Sequence, residues 1–327
     1  MTQIEEAEMI QVGGQEYRIQ RPDLDRNIPA MVRLANEIEA HDRVDLGVSD
    51  EEQRRYLVQP DHDYRRDRWL VEDPTDSTRL IASAVVSKSP NAPYAWMNGT
   101  VHPDWRRRGI GSALLPLVLA RARELGAPEA EASTNRRTPG GAALLEKAGF
   151  HAVATSIEMR CPAATVLAEP QLPAGYTIKP YTAVQDPHIV MEAINQGFIG
   201  HHGHYDETLE AIEHWLAEPT FPPEGLFLAF GPAGDVAGIC WTEINPALSE
   251  RRGTPTGYID SLAVLPAHRR HGLGRTLLLI GMHYLRAQGL PTIELGAWGE
   301  NDMALPLYLG VGFAIVQQAD TYRLALA

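Results

Sequence analysis

Two short segments of the chain combine arginine and glycine in the same order. Val264–Gly274 reads VLPAHRRHGLG and Val101–Gly111 reads VHPDWRRRGIG, so the valine, the proline, two arginines and both glycines recur at one constant offset. Each segment follows an apolar, strand-like run and precedes a helix-like run. At such a turn several backbone N–H groups converge near the positive end of a helix dipole, which is a geometry that holds phosphate oxygens.

The side chains of these segments suit a pyrophosphate. Gly272 and Gly274 let the backbone approach it closely, and arginines add charge-assisted hydrogen bonds. A single segment of this kind would equally fit an ordinary helix start with a solvated basic face. Its recurrence in the same context favours anion binding. The candidate residues are Arg269, Arg270 and Arg275 in the second copy, and Arg106, Arg107, Arg108, Gly109 and Gly111 in the first.

The repeat predicts two copies of one domain, which is also what a length of 327 residues favours. Residues Cys161–Gly175 contain three prolines and little periodicity, as expected of a connection between domains. We therefore expect an N-terminal domain over 1–162, a linker over 163–174 and a C-terminal domain over 175–327.

Hydrophobic periodicity indicates the elements that must position the loops. Both halves predict the order β-α-α-β-β-β-α-β-α-β, which implies an α/β fold with a mixed sheet. Ser49 and Glu52 have the spacing of a capping box at a helix start. After the second loop, Leu273, Leu277 and Ile280 lie on one helix face, which predicts a buried stripe.

Composition excludes several functions. A formal charge of −13 argues against a nucleic-acid partner, and the more acidic second half suits a cationic acceptor or simply good solubility. Cys161 and Cys240 suggest neither a disulfide framework nor a zinc site, and we expect no metal. Without a long apolar run or a signal-like start, we expect a cytoplasmic monomer or homodimer with no membrane partner.

The loop pattern resembles the acyl-CoA loop of the GNAT superfamily of N-acetyltransferases, Gln/Arg-x-x-Gly-x-Gly/Ala. Arg269, Gly272 and Gly274 fit it, and the first copy fits it at the matching positions. The resemblance implies two tandem GNAT-like domains and acetyl-CoA as the acyl donor. It also implies that Leu262 C=O and Val264 N–H contact the donor. Further cofactor contacts implied in this way are His271, Leu273, Asn301, Val101 and Ile110.

The resemblance also implies a catalytic tyrosine in the second copy. Tyr308 stands four residues before Gly312-Phe313, where a GNAT tyrosine commonly protonates the leaving thiolate. On its own, Tyr308 would equally fit a core tyrosine of an amphipathic helix. The first copy has Leu145 at the matching position. We therefore expect the C-terminal domain to be catalytic and the N-terminal domain to bind CoA weakly or to have a supporting role.

The proton acceptor is less well specified. Many GNAT enzymes carry a glutamate where this chain has Tyr258, and Asp260 is the next carboxylate along the strand. If the strand is regular, Tyr258, Asp260, Leu262 and Val264 share one face. The first copy would then offer Ala95 and Met97 at the places of Tyr258 and Asp260. Competing candidates, which could instead contact the substrate, are Glu243, His201, His202 and His204.

These residues predict an N-acetyltransferase that acetylates a small primary amine by direct attack in a ternary complex. Two alternatives fit the same residues. One is an acyl-CoA-binding or scaffold protein without activity, and the other is an enzyme that acetylates a protein or peptide amine.

Overall fold

The computed structural model of the chain describes residues 8–44, 47–58, 63–298 and 304–326. They form two compact units, which divide the chain after Val153 and again after Gln318. The first unit holds the described residues up to Val153 together with those from Ala319 onward, and the second holds Ala154–Gln318. Each unit contains strands and helices around a mixed sheet, so the predicted α/β class is confirmed.

The first unit has a sheet with helices on both faces. In chain order its elements are β1 (Glu8–Val12), β2 (Gln15–Gln20), α1 (Ile28–Asp42), α2 (Asp50–Leu57), α3 (Tyr64–Asp67), β3 (Arg68–Asp73), β4 (Asp76–Ser87), β5 (Ala95–Val101), α4 (Ile110–Glu124), β6 (Glu129–Asn135) and α5 (Gly140–Lys147). The predicted capping box begins α2, since Ser49 and Glu52 bond to each other's backbone N–H. One core packs beneath α4 and another beneath α1.

The second unit repeats this arrangement. Its elements are β8 (Thr177–Pro180), α6 (Pro187–Gly197), α7 (Leu209–Leu216), β9 (Leu226–Phe230), β10 (Val236–Glu243), α8 (Pro246–Arg252), β11 (Thr256–Val264), α9 (Leu273–Ala287), β12 (Thr292–Trp298) and α10 (Ala304–Gly310). Helices α9 and α10 cover one face of the sheet, with Leu277 and Tyr308 in their core. Helices α6 and α7 cover the other face, with Trp241 in theirs.

Two strands cross the boundaries between the units. In β7 (His151–Cys161), residues from Ala154 onward belong to the second unit, and Ser156–Cys161 pair antiparallel with β12. In β13 (Ala314–Ala325), residues from Ala319 onward belong to the first unit and pair antiparallel with β6. Each unit is therefore completed by a strand from the other half of the sequence. Boundaries that treat each copy as self-contained do not include this exchange of strands.

A buried glutamate holds each crossing strand. In the second unit, Glu294 on β12 accepts hydrogen bonds from Arg160 on β7 (2.6 Å) and from Arg252 (2.8 Å). In the first unit, Glu131 on β6 accepts one from Arg323 on β13 (2.7 Å). These pairs occupy matching positions in the two copies, and both glutamates are almost fully buried. The duplicated charge pair therefore anchors each crossing strand to the strand beside it.

The segment between Cys161 and Tyr176 has neither helix nor strand, and it is fixed along α9. The Thr276 hydroxyl donates to Gln171 O (2.5 Å), and the Arg286 guanidinium donates to Thr165 O (2.7 Å). The segment that the sequence suggests is a linker is thus held against the second unit. Among the described residues, no helix is long and apolar enough to cross a membrane.

Replacing the buried carboxylate should destabilise the second unit. We expect Glu294→Ala to cost about 3 kcal/mol or more, because it leaves the Arg160 and Arg252 guanidinium groups without their shared partner. Urea unfolding followed by circular dichroism measures this cost. Glu129→Ala is the control, since Glu129 forms a partly exposed pair with Arg323 and should cost under about 1 kcal/mol. Equal costs for both variants would contradict the role of Glu294.

Candidate active site

The central feature of the second unit is a gap between two neighbouring strands. Strands β11 and β12 run parallel and pair from Thr256 with Thr292 to Ile259 with Leu295. Both strands continue beyond that point without pairing to each other, β11 to Val264 and β12 to Trp298. Their facing backbone groups are therefore available to a ligand that enters between them.

A β-bulge lies at the start of this gap. Trp241 of β10 pairs with Ser261, but the next residue, Thr242, pairs with Ile259, so Asp260 is the extra residue of β11. The regular alternation assumed from the sequence is therefore wrong. Ile259 packs in the core under α9, as Leu262 and Val264 do. Tyr258 precedes Ile259 and lies on the opposite face, towards α6. The bulge shifts the alternation of side chains by one residue, so Tyr258 does not share a face with Leu262 and Val264.

The first unit lacks this bulge. Its strands β4 and β5 pair without interruption from Ala82 with Val101 to Ser87 with Trp96. Trp96 pairs with Glu131 as Tyr258 pairs with Glu294, so Trp96 is the structural counterpart of Tyr258. The sequence-based match of Ala95 to Tyr258 is thus wrong by one residue. Likewise, Met97 corresponds to Ile259 in the core, and Asp260 has no counterpart.

The bulge leaves two backbone positions of β11 directed into the gap. The Leu265 N–H donates to Ala237 O on β10 (3.0 Å). Because hydrogen-bonded positions alternate along an antiparallel pair, Ala263 also faces β10, whereas Leu262 and Val264 face the unpaired edge. These are the two positions that the sequence analysis expects to contact the acyl donor.

The loop after β11 presents backbone donors at the start of α9. Gly272 caps the helix in a left-handed conformation (φ 84°), and the first helical bond runs from Thr276 N–H to Gly272 O (3.2 Å). The N–H groups of Leu273, Gly274 and Arg275 are consequently not used by the helix. In the first unit, Gly109 (φ 94°) and the bond from Ala113 N–H repeat this geometry.

The first arginine of each loop is engaged with the protein. Arg269 Nε donates to Val264 O (2.9 Å), and its Nη2 donates to Gly197 O at the end of α6 (3.1 Å). Arg106 likewise donates to Val101 O (3.0 Å), and it also pairs with Asp42. The Arg106 guanidinium holds the Asp42 pKa below its usual range. Both arginines therefore position the loop, a role that the sequence analysis did not distinguish from direct phosphate contact.

The remaining loop residues differ in their exposure. Leu273 and Ile110 are buried in the cores of their units, so only their backbone can contact a ligand. In the second unit Arg270, His271 and Arg275 are exposed. In the first unit Arg107 and Arg108 are exposed as well, and Arg108 stacks over the Trp105 ring (4.4 Å) and donates to Asp104 O. Both loops thus present charged side chains to solvent.

A strand of the first unit lies against its loop. A Cβ placed on Gly109 would come within 2.8 Å of Val12 Cγ1 on β1, whereas a Cβ on Gly272 would meet nothing within 4 Å. Val12 therefore covers the capping glycine of the first loop, and the corresponding side of Gly272 is open. This difference was not apparent from the sequences, in which the two loops seemed equivalent.

Tyr308 lies on α10, on the α9 face of the sheet. It is 6% exposed, and its ring contacts Phe313 edge to face. Burial raises the pKa of Tyr308 to about 12, and the nearby Cys240 contributes to this. The phenol is therefore protonated at neutral pH and can donate its proton. No hydrogen-bond partner of the Tyr308 hydroxyl occurs among residues 8–44, 47–58, 63–298 and 304–326. Asn301 lies outside these described residues.

The carboxylates of the candidate site lie on the opposite, α6 face. Solvent reaches Asp260, yet the protein surrounds it closely enough that desolvation raises its pKa, partly offset by the Ser261 hydroxyl, which donates to it (2.8 Å). The Tyr258 hydroxyl donates to Glu158 Oε2 (3.3 Å). Desolvation, followed by the charges of Glu158, Asp260 and Glu243, raises the Tyr258 pKa well above its ordinary value. One face of the gap therefore gathers three acidic side chains around a neutral phenol.

The three histidines lie in the turn between α6 and α7. The His202 ring contacts Trp298 at the end of β12, with ring centroids 4.7 Å apart. Burial, followed by the charges of Arg269 and His204, lowers the His201 pKa, so this imidazole is neutral at neutral pH. His204 approaches Asp206 (3.6 Å). The turn is thus near both the loop, through Arg269, and the α6 face of the gap, through Trp298.

Sequence analysis missed Glu158, Gly296 and Trp298. Glu158 belongs to the first copy by sequence, and it reaches this site only because β7 crosses into the second unit. Comparing the copies position by position would have given a signal, because Thr321 and Ser133 stand in the first unit where Glu158 and Gly296 stand in the second. Their hydroxyl groups hydrogen-bond to each other (2.6 Å).

Comparison with known proteins agrees with this geometry. The acetyltransferase (GNAT) family model matches residues 34–150 and 188–313. Mycothiol acetyltransferase of Rhodococcus jostii is 30% identical over 249 residues, which cover 75% of this chain and 79% of that protein. Its counterpart in Frankia casuarinae is 34% identical over 222 residues, which are 65% of this chain and 63% of that protein. The match thus spans less than two thirds of the Frankia protein.

Solved structures share the fold over almost the whole chain. A GCN5-related N-acetyltransferase from Sphaerobacter thermophilus has a TM-score of 0.74 at 21% identity, covering 95% of this chain and 96% of the other. A tandem GNAT protein from the clavulanic acid biosynthesis pathway has a TM-score of 0.73 at 19% identity, covering 95% and 99%. The fold is a tandem GNAT fold. The chain belongs to the acetyltransferase (GNAT) family, and it is an N-acetyltransferase related to the mycothiol acetyltransferases.

The two capping glycines should respond differently to an added methyl group. Gly272→Ala should cost about 1–2 kcal/mol, because alanine is strained in the left-handed region and the space beside it is open. Gly109→Ala carries the same strain and also forces Val12 aside, so we expect a larger cost. Urea denaturation of both variants measures the difference. Equal costs would contradict the packing of β1 on the first loop.

Proposed function

We propose that the protein transfers the acetyl group of acetyl-CoA to a primary amine of a small molecule, with the chemistry in the second unit. The observation that carries this proposal is the asymmetry between the units. Only the second has the β11 bulge with Asp260, and it has Tyr308 where the first has Leu145. The amine would attack the thioester directly while both substrates are bound.

The second unit offers a fitting site for acetyl-CoA. The free N–H groups after Gly272, with Arg270 and Arg275 exposed beside them, suit the pyrophosphate. The unpaired backbone at Leu262 and Val264 suits the pantetheine arm and the thioester carbonyl, to which Val264 N–H would donate. Arg269 keeps the loop in place by bonding to Val264 O. These assignments use the backbone, so they tolerate many side-chain changes.

Two side chains take the proton-transfer roles on opposite faces of the sheet. Asp260, on the α6 face, would accept the proton of the attacking amine directly or through a water. Tyr308, on the α9 face, would donate its proton to the departing thiolate, a role for which its raised pKa keeps it protonated. The ammonium form of the acceptor loses two protons, one to Asp260 before attack and one to solvent after the new C–N bond forms. The C–S bond breaks, the thiol leaves neutral with the proton of Tyr308, and solvent restores that proton to Tyr308.

The acceptor is a cationic amine in this proposal. Asp260, Glu158 and Glu243 place negative charge around the Tyr258 hydroxyl, and such a field concentrates ammonium compounds. The relatives' name, mycothiol acetyltransferase, makes a mycothiol-related acceptor the first to test. The first unit would then bind CoA weakly or support the second, in keeping with the cover that Val12 gives its loop.

Incubation with acetyl-CoA and an amine panel tests the proposal. The panel should contain mycothiol-related amines, amino sugars, polyamines and peptides with free N-termini, with acetylated product followed by mass spectrometry. Acetylation of a small amine in preference to the peptides supports the proposal. Acetylation of the peptides alone would replace it by a protein acetyltransferase.

Removing the Tyr308 hydroxyl should slow the chemical step. We expect Tyr308→Phe to lower kcat about 100-fold or more, with little change in the KM for acetyl-CoA, because the ring still fills the core while the leaving thiolate loses its acid. Steady-state rates measure this. Tyr322→Phe is the control, since that hydroxyl bonds to Glu146 in the first unit. An unchanged kcat in Tyr308→Phe would exclude the proposed acid.

The pH dependence should report on Asp260. Desolvation raises the Asp260 pKa, so the carboxylate forms, and kcat/KM rises, at a higher pH than an ordinary aspartate (about 3.9) would require. Asp260→Asn should remove this low-pH limb and lower kcat/KM about 100-fold or more. Profiles of both proteins between pH 4 and about 9 test this. A mutant profile that keeps the wild-type limb would assign the proton acceptor to another group.

A further inference from the structure

Glu158 brings a carboxylate from the first half of the sequence to the gap in the second unit. It lies on β7 opposite Gly296 of β12, which is the first residue after the last β11–β12 pair. Its neighbours Ile157 and Met159 are buried in the core under α9, so Glu158 itself lies on the α6 face. It is therefore on the same face as Tyr258, where the gap opens.

The contact between Glu158 and Tyr258 depends on a glycine. A Cβ on Gly296 would lie 2.9 Å from the Tyr258 hydroxyl and 3.1 Å from Glu158 Oε1. Both polar groups thus lie beside a residue without a side chain, at the point where β11 and β12 separate. We call this point the vertex of the gap. The Tyr258 hydroxyl donates to Glu158 Oε2, which fixes the carboxylate at this vertex. Oxygen Oε1 keeps further accepting capacity, since a carboxylate oxygen has more than one lone pair.

The first unit shows that a crossing strand can be held without a carboxylate at the position of Glu158. The charge pair of Glu294 and Arg160 is kept in the first unit as Glu131 and Arg323, so holding the crossing strand does not require Glu158. At the matching place the first unit has Thr321, bonded to Ser133, and Trp96 replaces Tyr258. The carboxylate, the phenol and the glycine therefore occur together only in the unit that has the bulge and Tyr308.

We infer that Glu158, held by the Tyr258 hydroxyl, anchors the ammonium group of the acceptor at the vertex of the gap. It is a specificity-determining residue for a cationic amine, and it acts before Asp260 removes the proton. A carboxylate that already accepts a hydrogen bond from a neutral phenol is oriented for a second, charge-assisted bond from an N–H donor. This inference rests on the proposed function, and it adds that the first half of the chain completes the acceptor site.

Binding of amines separates this role from catalysis. We would measure the Kd of spermidine and of glucosamine by calorimetry with saturating CoA present, for the wild type and for Glu158→Gln. We expect Glu158→Gln to raise the Kd of the amine that binds the wild type by about tenfold or more, since a charge-assisted bond is lost. Glu158→Asp should recover part of the affinity, and the Kd of acetyl-CoA should change less than about twofold.

Further variants test the partnership and its location. Tyr258→Phe should raise the amine Kd to a similar extent, and the double variant should be little worse than either single one, because the two groups act together. Ser133→Ala removes the hydroxyl that bonds to Thr321, the counterpart of Glu158 in the first unit, and should leave the amine Kd unchanged. Thermal unfolding checks that each variant is folded.

The outcomes are distinct from those for the proposed function. Failure of both amines to bind the wild type, or an unchanged Kd in Glu158→Gln, would overturn the inference. So would a variant that binds amine normally but loses the low-pH limb of kcat/KM, because Glu158 would then be the proton acceptor. Amines that bind through Glu158 and are never acetylated would instead count against the proposed function alone.

Discussion

The parallel pairing between β11 and β12 ends at Ile259 and Leu295, and the candidate site depends on that end. Beyond it the two strands separate, and the backbone of β11 at Leu262 and Val264 faces an open edge. The bulge at Asp260 comes immediately after the last pair and changes which side chains face α6 and which face α9. In a regular strand Leu262 and Val264 would share a face with Tyr258 and Asp260, whereas the bulge places Leu262 and Val264 on the α9 face with Ile259.

The surrounding elements keep this gap in place. The crossing strand β7 pairs with the far edge of β12, and its Arg160 shares the buried Glu294 with Arg252. On the other side, Arg269 joins the end of β11 to its loop and to α6. The carboxylates lie towards α6 and Tyr308 lies towards α9, so the proposed proton acceptor and the proposed proton donor are on opposite faces of the sheet. An acyl group entering along the unpaired edge would therefore meet the amine from one face and the proton donor from the other.

Much of the fold followed from local patterns. The capping box at Ser49 depends on nearby residues, and so does the apolar face of α9, on which Leu273 and Leu277 are buried as predicted but Ile280 is only half-buried. The recurring loop showed the duplication. The crossing of β7 and β13 could not be predicted in this way, because each copy has a complete set of strands and pairing within or between copies satisfies the same backbone groups. The bulge was likewise hidden, since the loops align without a gap and only the pairing of Trp241 and Thr242 reveals it. These two features explain why the strand alternation was wrong beyond Ile259 and why Glu158 was missed.

Charge reversal at matched loop positions tests the central claim that the second unit performs the chemistry. Arg107 and Arg270 occupy the same place in the two loops, with φ values of 63° and 66°. We predict that Arg270→Glu lowers kcat/KM for acetyl-CoA about 100-fold or more, because a carboxylate then faces the pyrophosphate, while Arg107→Glu leaves it within about threefold. Loss of activity in Arg107→Glu with near-normal activity in Arg270→Glu would contradict the account and assign the reaction to the first unit.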